Sequence, residues 1–187
     1  MLCLKEPEKM LKKTATTFLR LYEAKDADFA KECYYDHENA TFFYDFGPVM
    51  RHEDFVSLAN LGNAHMFVVY DDNSQVEVGL AMVYNIKWKA RVASIGVMIK
   101  PEFRKMKHAM SATAIILDFV INSLGIEKVI CETLVVNDRV ETELSKNGFV
   151  LEGTLFNEAL FEGKRVNILR FCAFKEDLQK RLQNVWR

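Results

Sequence analysis

Within nine positions, Lys100, Arg104, Lys105, Lys107 and His108 set four fixed cations and one titratable ring ahead of an apolar run beginning at Ala109. Helix starts expose backbone N–H groups that have no intrahelical acceptor, together with the positive end of the helix dipole. A basic loop feeding a helix is therefore an anion site in outline. The same residues also suit a solvated turn between a strand and a helix, and this stretch alone leaves both readings open. Before the loop, Ile95, Val97 and Ile99 alternate with Gly96 and Met98 in a strand-like pattern, which Pro101 ends.

The remaining elements must place this loop. Thr16–Tyr22 reads as a first strand, and Asp26 as the cap of a helix to Tyr35 with Phe29, Ala30, Cys33 and Tyr34 inward. An aromatic segment, FFYDFGP at 42–48, follows as core or as a pocket wall, and a short helix spans 53–60. Strands 65–71 and 75–84 form a hairpin across residues 72–74, and the strand 92–99 joins them after a turn holding Trp88. A long helix over 107–124, with Met110, Leu117 and Ile121 on its inner face, stops at Gly125.

Strand 127–136 is nearly continuous in apolar and β-branched residues, so it reads as a central strand closing a β-α-β unit. Asp138 and Glu141 suggest a capping box for a helix to Asn147, ended by Gly148. Strands 149–156 and 165–174 pair across a longer loop, and 176–185 is helical. The fold class is mixed α/β (α+β): a mostly antiparallel sheet with one β-α-β unit and flanking helices. The expected division is an arm over 1–14, one domain over 15–175, and a docked terminal helix over 176–187, with Trp186 packed against it.

A length of 187 residues, half of them hydrophobic, supports a substantial single core. The net charge of −1 gives no sign of a nucleic-acid surface. Cys3, Cys33, Cys131 and Cys172 are far apart, without metal or disulfide spacing, as in a reducing cytoplasmic protein. No signal peptide is visible, and 109–126 carries Asp118 and Asn122, so it reads as a buried helix and not a membrane span. His37, His52 and His65 have no sequence partners that suggest a site.

The order of elements and two local motifs resemble the GNAT superfamily of N-acetyltransferases, nearest the ribosomal-protein N-terminal acetyltransferase branch. Arg104-Lys105-Met106-Lys107-His108-Ala109 aligns with that family's phosphate loop, with Arg104 and Ala109 matching and Lys107 standing where glycine is usual. Asn137, Leu144, Lys146 and Gly148-Phe149 follow the spacing of the second motif. The resemblance covers about 15–175. It implies acetyl-coenzyme A as co-substrate and no metal. The pantetheine arm would lie on the backbone of Val97, Met98 and Ile99. The diphosphate would sit on the loop Arg104, Lys105, Met106, Lys107, His108, Ala109 and Met110.

Acetyl transfer to an amine needs a deprotonated amine, a held thioester carbonyl and a proton donor for the thiolate. The family's usual Tyr and Ser donors are Leu144 and Val140 here. Glu132 is the carboxylate best placed to deprotonate an amine, against the alternative of an ion-paired strand residue. Asn137 could orient a substrate amide or the pantetheine, or could simply cap a helix. Tyr44 and Tyr84 are further possible acids. The implied activity is direct acetyl transfer to a primary amine, on a protein N-terminus, a lysine, an amino sugar or a polyamine. A homo-oligomer is compatible with it; nucleic-acid and membrane partners are not expected. The alternatives are a non-catalytic GNAT-fold binding or structural component, and a domain that binds coenzyme A without transfer.

Overall fold

The computed structural model describes residues 10–36, 50–60, 62–104 and 107–185. The expected aromatic segment, Tyr44, His37, Lys105, Met106, Trp186 and residues 1–9 of the expected arm lie outside them. Eight described strands form one sheet in the order β1-β2-β3-β4-β5-β6-β8-β7. They are β1 (Met10–Lys13), β2 (Thr17–Leu21), β3 (His65–Asp71), β4 (Glu77–Lys87), β5 (Val92–Ile99), β6 (Lys128–Leu134), β7 (Val150–Phe161) and β8 (Lys164–Phe174). Every neighbouring pair is antiparallel except β5 with β6. Residues 10–13 of the expected arm thus belong to the sheet edge.

Among the described residues, five α-helices cover the sheet: α1 (Ala27–Tyr35), α2 (His52–Ser57), α3 (His108–Asp118), α4 (Asp138–Lys146) and α5 (Lys175–Val185). One core joins Ile115, Ile116 and Val120 of the α3 crossover and Leu178 and Leu182 of α5 to Ala81, Val83, Ile95, Ile99, Val129 and Phe171 of the sheet. The other gathers Ala30, Cys33, Tyr34 and Phe55 of α1 and α2 over Met66, Val68, Leu80, Met82 and Met98. With a core on each side, β3 is buried from Met66 to Tyr70, which is why its sequence is a continuous apolar run.

Local chemistry departs from the sequence expectations at several points. Asp26 does not cap α1. Its carboxylate accepts the Glu23 amide at 2.8 Å and pairs with buried Arg20 at 2.7 Å, and Arg20 also donates to Tyr70. A π-helical turn at Phe119–Ser123 ends the α3 segment before Gly125, which takes φ +67° as a left-handed cap. Met110, expected inward, is 54% exposed, because the first turns of α3 turn His108 and Ala112 to the core instead. β7 and β8 meet in a tight hairpin rather than across a long loop. Glu162 and Gly163 both take positive φ, the twist that a two-residue turn between right-twisted strands needs.

Gly79 on β4 stands opposite Ile99 of β5, and a Cβ added there would lie 2.1 Å from the Met98 carbonyl oxygen. That neighbour is backbone and cannot swing away. Gly79→Ala is expected to cost about 2 kcal/mol or more of stability, within or above the usual range for overpacking. Urea denaturation of the purified variant against the native protein checks this.

Candidate active site

The central feature of the site is the place where β5 and β6 part. Their ladder registers Val92 with Lys128, Ala93 with Val129 and Ser94 with Ile130, and no further pair. Both strands run on, β5 to Ile99 and β6 to Leu134. The Arg91 carbonyl accepts from Lys128 on the β6 side, whereas the Lys100 amide donates to Val78 of β4. Alternation along the strand then turns the backbone groups of Ile95, Val97 and Ile99 toward the gap and those of Met98 toward β4. Of the three residues expected to pair with a pantetheine, Val97 and Ile99 face the gap and Met98 does not. The Met98 side chain lines a small apolar cavity with Met50, Met66 and Met82. The Ile99 carbonyl already accepts from Arg104 Nε at 3.0 Å, which leaves Val97, of those three, as the one with both groups turned into the gap.

Beyond β5 the chain passes through a 3₁₀ turn at Pro101–Phe103 and enters α3. Lys107, just before the helix, has φ +62° and ψ +6°. The glycine usual at this position in the family therefore has a physical reason, since a left-handed residue with a Cβ is strained by roughly 1 kcal/mol. The Lys107 side chain is exposed, and its carbonyl accepts the first helical bond, from Ser111 at 3.1 Å. Among the described residues no side chain caps α3, and the N–H groups of His108, Ala109 and Met110 lack an intrahelical partner. At α4 the same position is closed: Asn137 Oδ1 accepts from the Val140 amide. One helix start is thus open toward a ligand, and the other is filled by its own cap.

The remaining candidates sort by their contacts. Arg104 does not project from the loop as a free cation; it reaches Asp36 at 3.2 Å as well as the Ile99 carbonyl. His108 points inward, with its ring bonded to Thr17, so it is not a side-chain neighbour of a phosphate. Asn137, not Asp138, caps α4, because the residue before the first helical turn is the one whose side chain can reach the N3 amide. Glu132 accepts from Arg170 Nε at 2.5 Å across β6 and β8, with its side chain 14% exposed. Leu144 and Val140, at the family's donor positions, pack against the α3 core.

Tyr84, a possible acid from residue type alone, is placed by cross-strand register opposite Ser94, beside the last β5–β6 pair. That placement could have been found only by counting the hairpin register. Burial pushes the Cys33 and Cys131 thiols up to about 12, so neither is a nucleophile at neutral pH. No group of His, Cys, Asp or Glu among the described residues could hold a metal. No described helix is long and apolar enough to cross a membrane.

A parallel pair that parts beside a free helix start is the arrangement that the two motifs suggested, and residues 17–150 match the family model described as an acetyltransferase (GNAT) domain. This chain belongs to the GNAT acetyltransferase family. Spermidine N(1)-acetyltransferase of Escherichia coli K12 is 28% identical over 131 residues, which cover 66% of this chain and 69% of that protein. The crystal structure of spermidine N-acetyltransferase from Vibrio cholerae in complex with CoA and spermine has a TM-score of 0.81 at 22% identity. The match covers 87% of this chain and 98% of that one. A chimera of the Vibrio cholerae enzyme and hSSAT gives 0.79 at 22% identity, covering 88% and 99%. The superfamily expected from the motifs stands; these relatives support a spermidine acetyltransferase likeness and not the narrower ribosomal-protein branch.

GNAT acetyltransferases use acetyl-coenzyme A. The residues present fit it: Val97 offers an unpaired strand edge, and the open start of α3 offers convergent N–H donors for a diphosphate. Replacing Lys107 by glycine should remove the left-handed strain and hold or raise stability, by up to about 1 kcal/mol. Denaturant midpoints of Lys107→Gly and Lys107→Ala check this, with alanine expected to gain nothing.

Proposed function

We propose that this GNAT protein is an acetyl-CoA-dependent N-acetyltransferase whose acceptor is a primary amine of the polyamine class. The observation that carries the reading is the gap between β5 and β6 opening beside the uncapped start of α3. Acetyl-CoA supplies the activated acetyl group; the rest is positioning by this chain. Val97 holds the pantetheine by strand-like pairing, and the amides of His108, Ala109 and Met110 hold the diphosphate. Lys107 adds an exposed cation beside it.

Glu132 lies two residues past Ile130, the last β6 residue paired with β5, on the same face of the strand. Arg170 fixes its carboxylate there, and it takes the proton of the incoming ammonium directly or through water. Tyr84, opposite Ser94, provides a hydroxyl on the same sheet face from which a proton can return to the thiolate. Support for a polycationic acceptor comes from α1, where Asp28 and Glu32 stand one helical turn apart and Asp36 follows at the C-cap. The curated relative and the structural neighbour are named for spermidine acetylation.

The second reading, a non-catalytic GNAT-fold component, has its own support in Leu144 and Val140, which put apolar side chains at both donor positions. A coupled thiol-release assay with spermidine, a lysine peptide, an N-terminal peptide and glucosamine separates the two. Turnover is expected with spermidine, falling about 10²- to 10⁴-fold in Glu132→Gln, the range for a lost general base. Coenzyme A binding without turnover of any amine would overturn the enzymatic reading, and absence of binding would leave the structural one.

A further inference from the structure

His108 is the first residue of α3 and follows the left-handed Lys107 directly, yet its ring is 2% exposed. Its Nδ1 lies 2.9 Å from Thr17 Oγ1, a fully buried hydroxyl on β2. The Phe103 ring stands edge-on at 6.3 Å, and Nε2 has no partner among the described residues. Two unfavourable choices therefore sit side by side. A non-glycine residue occupies a left-handed turn, and a half-satisfied polar ring fills a core position that leucine would occupy without penalty. Strain of the first kind persists only where the surroundings over-determine the backbone. Thr17 can do this because β2 is itself fixed, with Thr17 laddered to Asp71 of β3 and its carbonyl accepting from Thr14.

We propose that His108 is a positioning residue for the coenzyme: from inside the core, its hydrogen bond to Thr17 holds the Lys107 turn and so aims the first amides of α3. The inference rests on the coenzyme reading above for its consequence, and on the turn itself for its mechanism. The ring does not touch the ligand. It acts by fixing the backbone that does.

The test uses His108→Leu, which fills the volume without a polar atom, His108→Asn, which returns an amide near Nδ1, and Thr17→Val, which removes the partner. Calorimetric affinity for coenzyme A is expected to fall about tenfold in His108→Leu and Thr17→Val. His108→Asn should restore most of it, with the loss falling on the KM for acetyl-CoA more than on kcat. Because glycine adopts the turn unaided, Lys107→Gly/His108→Leu should bind within about threefold of Lys107→Gly. Equal binding by the Leu, Asn and native proteins, or a tenfold loss that persists in the glycine background, would overturn the proposal. Hydrogen exchange at the Ser111 amide, bonded to the Lys107 carbonyl, is read without ligand. It should quicken in His108→Leu and Thr17→Val. Unchanged exchange sinks the inference even if the native protein fails to bind coenzyme A, an outcome that would separately sink the function proposed above.

Discussion

β5 and β6 share a short parallel ladder that ends at Ser94 and Ile130 while both strands continue, and the rest of the fold is arranged so that this early end is tolerated. A strand leaving its ladder exposes unpaired N–H and C=O groups, which are costly to bury unsatisfied. Here each strand is held on its other side. β4 pairs with β5 from Val92 to Ile99, and β8 pairs with β6 along its whole length. The antiparallel neighbours hold the two strands apart, so the gap is a fixed element of the sheet and not a frayed edge.

The two ends of the gap differ in chemistry. Toward the C-terminal end of β5 lie the left-handed Lys107 and an uncapped helix start, which suit a multiply charged anion. Toward the ladder lie Ser94, Tyr84 and the Glu132–Arg170 pair, which suit proton transfer on a smaller group. Salt bridges of Arg104 with Asp36 and Lys100 with Glu32 tie the loop to α1, the helix that carries the acidic row. Under the proposed function, anion handling and amine handling would occupy opposite stretches of one slot, with Val97 between them.

Much of this layout could be read in the sequence because it is set locally. β5 is bounded by its alternation and Pro101, β3 by its polar flanks, and two helix ends by Gly125 and Gly148, both at positive φ. What could not be read depends on partners far along the chain or on geometry that a residue's type conceals. His108 falls among lysines and so looked like part of a cation cluster. Its partner Thr17 is 91 residues away. Asp26 had the right type for a cap but was claimed by Arg20. Asn137 and Asp138 are both good caps, and only the backbone decides between them. The Glu162-Gly163 turn was missed because Glu is an uncommon occupant of a left-handed position, so the pair does not carry the usual Asn-Gly or Asp-Gly signal.

The strand order also has a kinetic side. β1 with β2, and β3 through β5, pair across short turns and can zip together as hairpins, whereas β2 reaches β3 only across residues 22–64. The β5–β6 junction closes the entire α3 crossover, and β6 waits for β8, which arrives after α4 and β7. Loop-closure entropy places such long-range pairings late. The seam that would receive the coenzyme is then among the last parts of the chain to assemble and among the first to open. A ligand seated across it would act less on how fast the protein folds than on how long it stays folded.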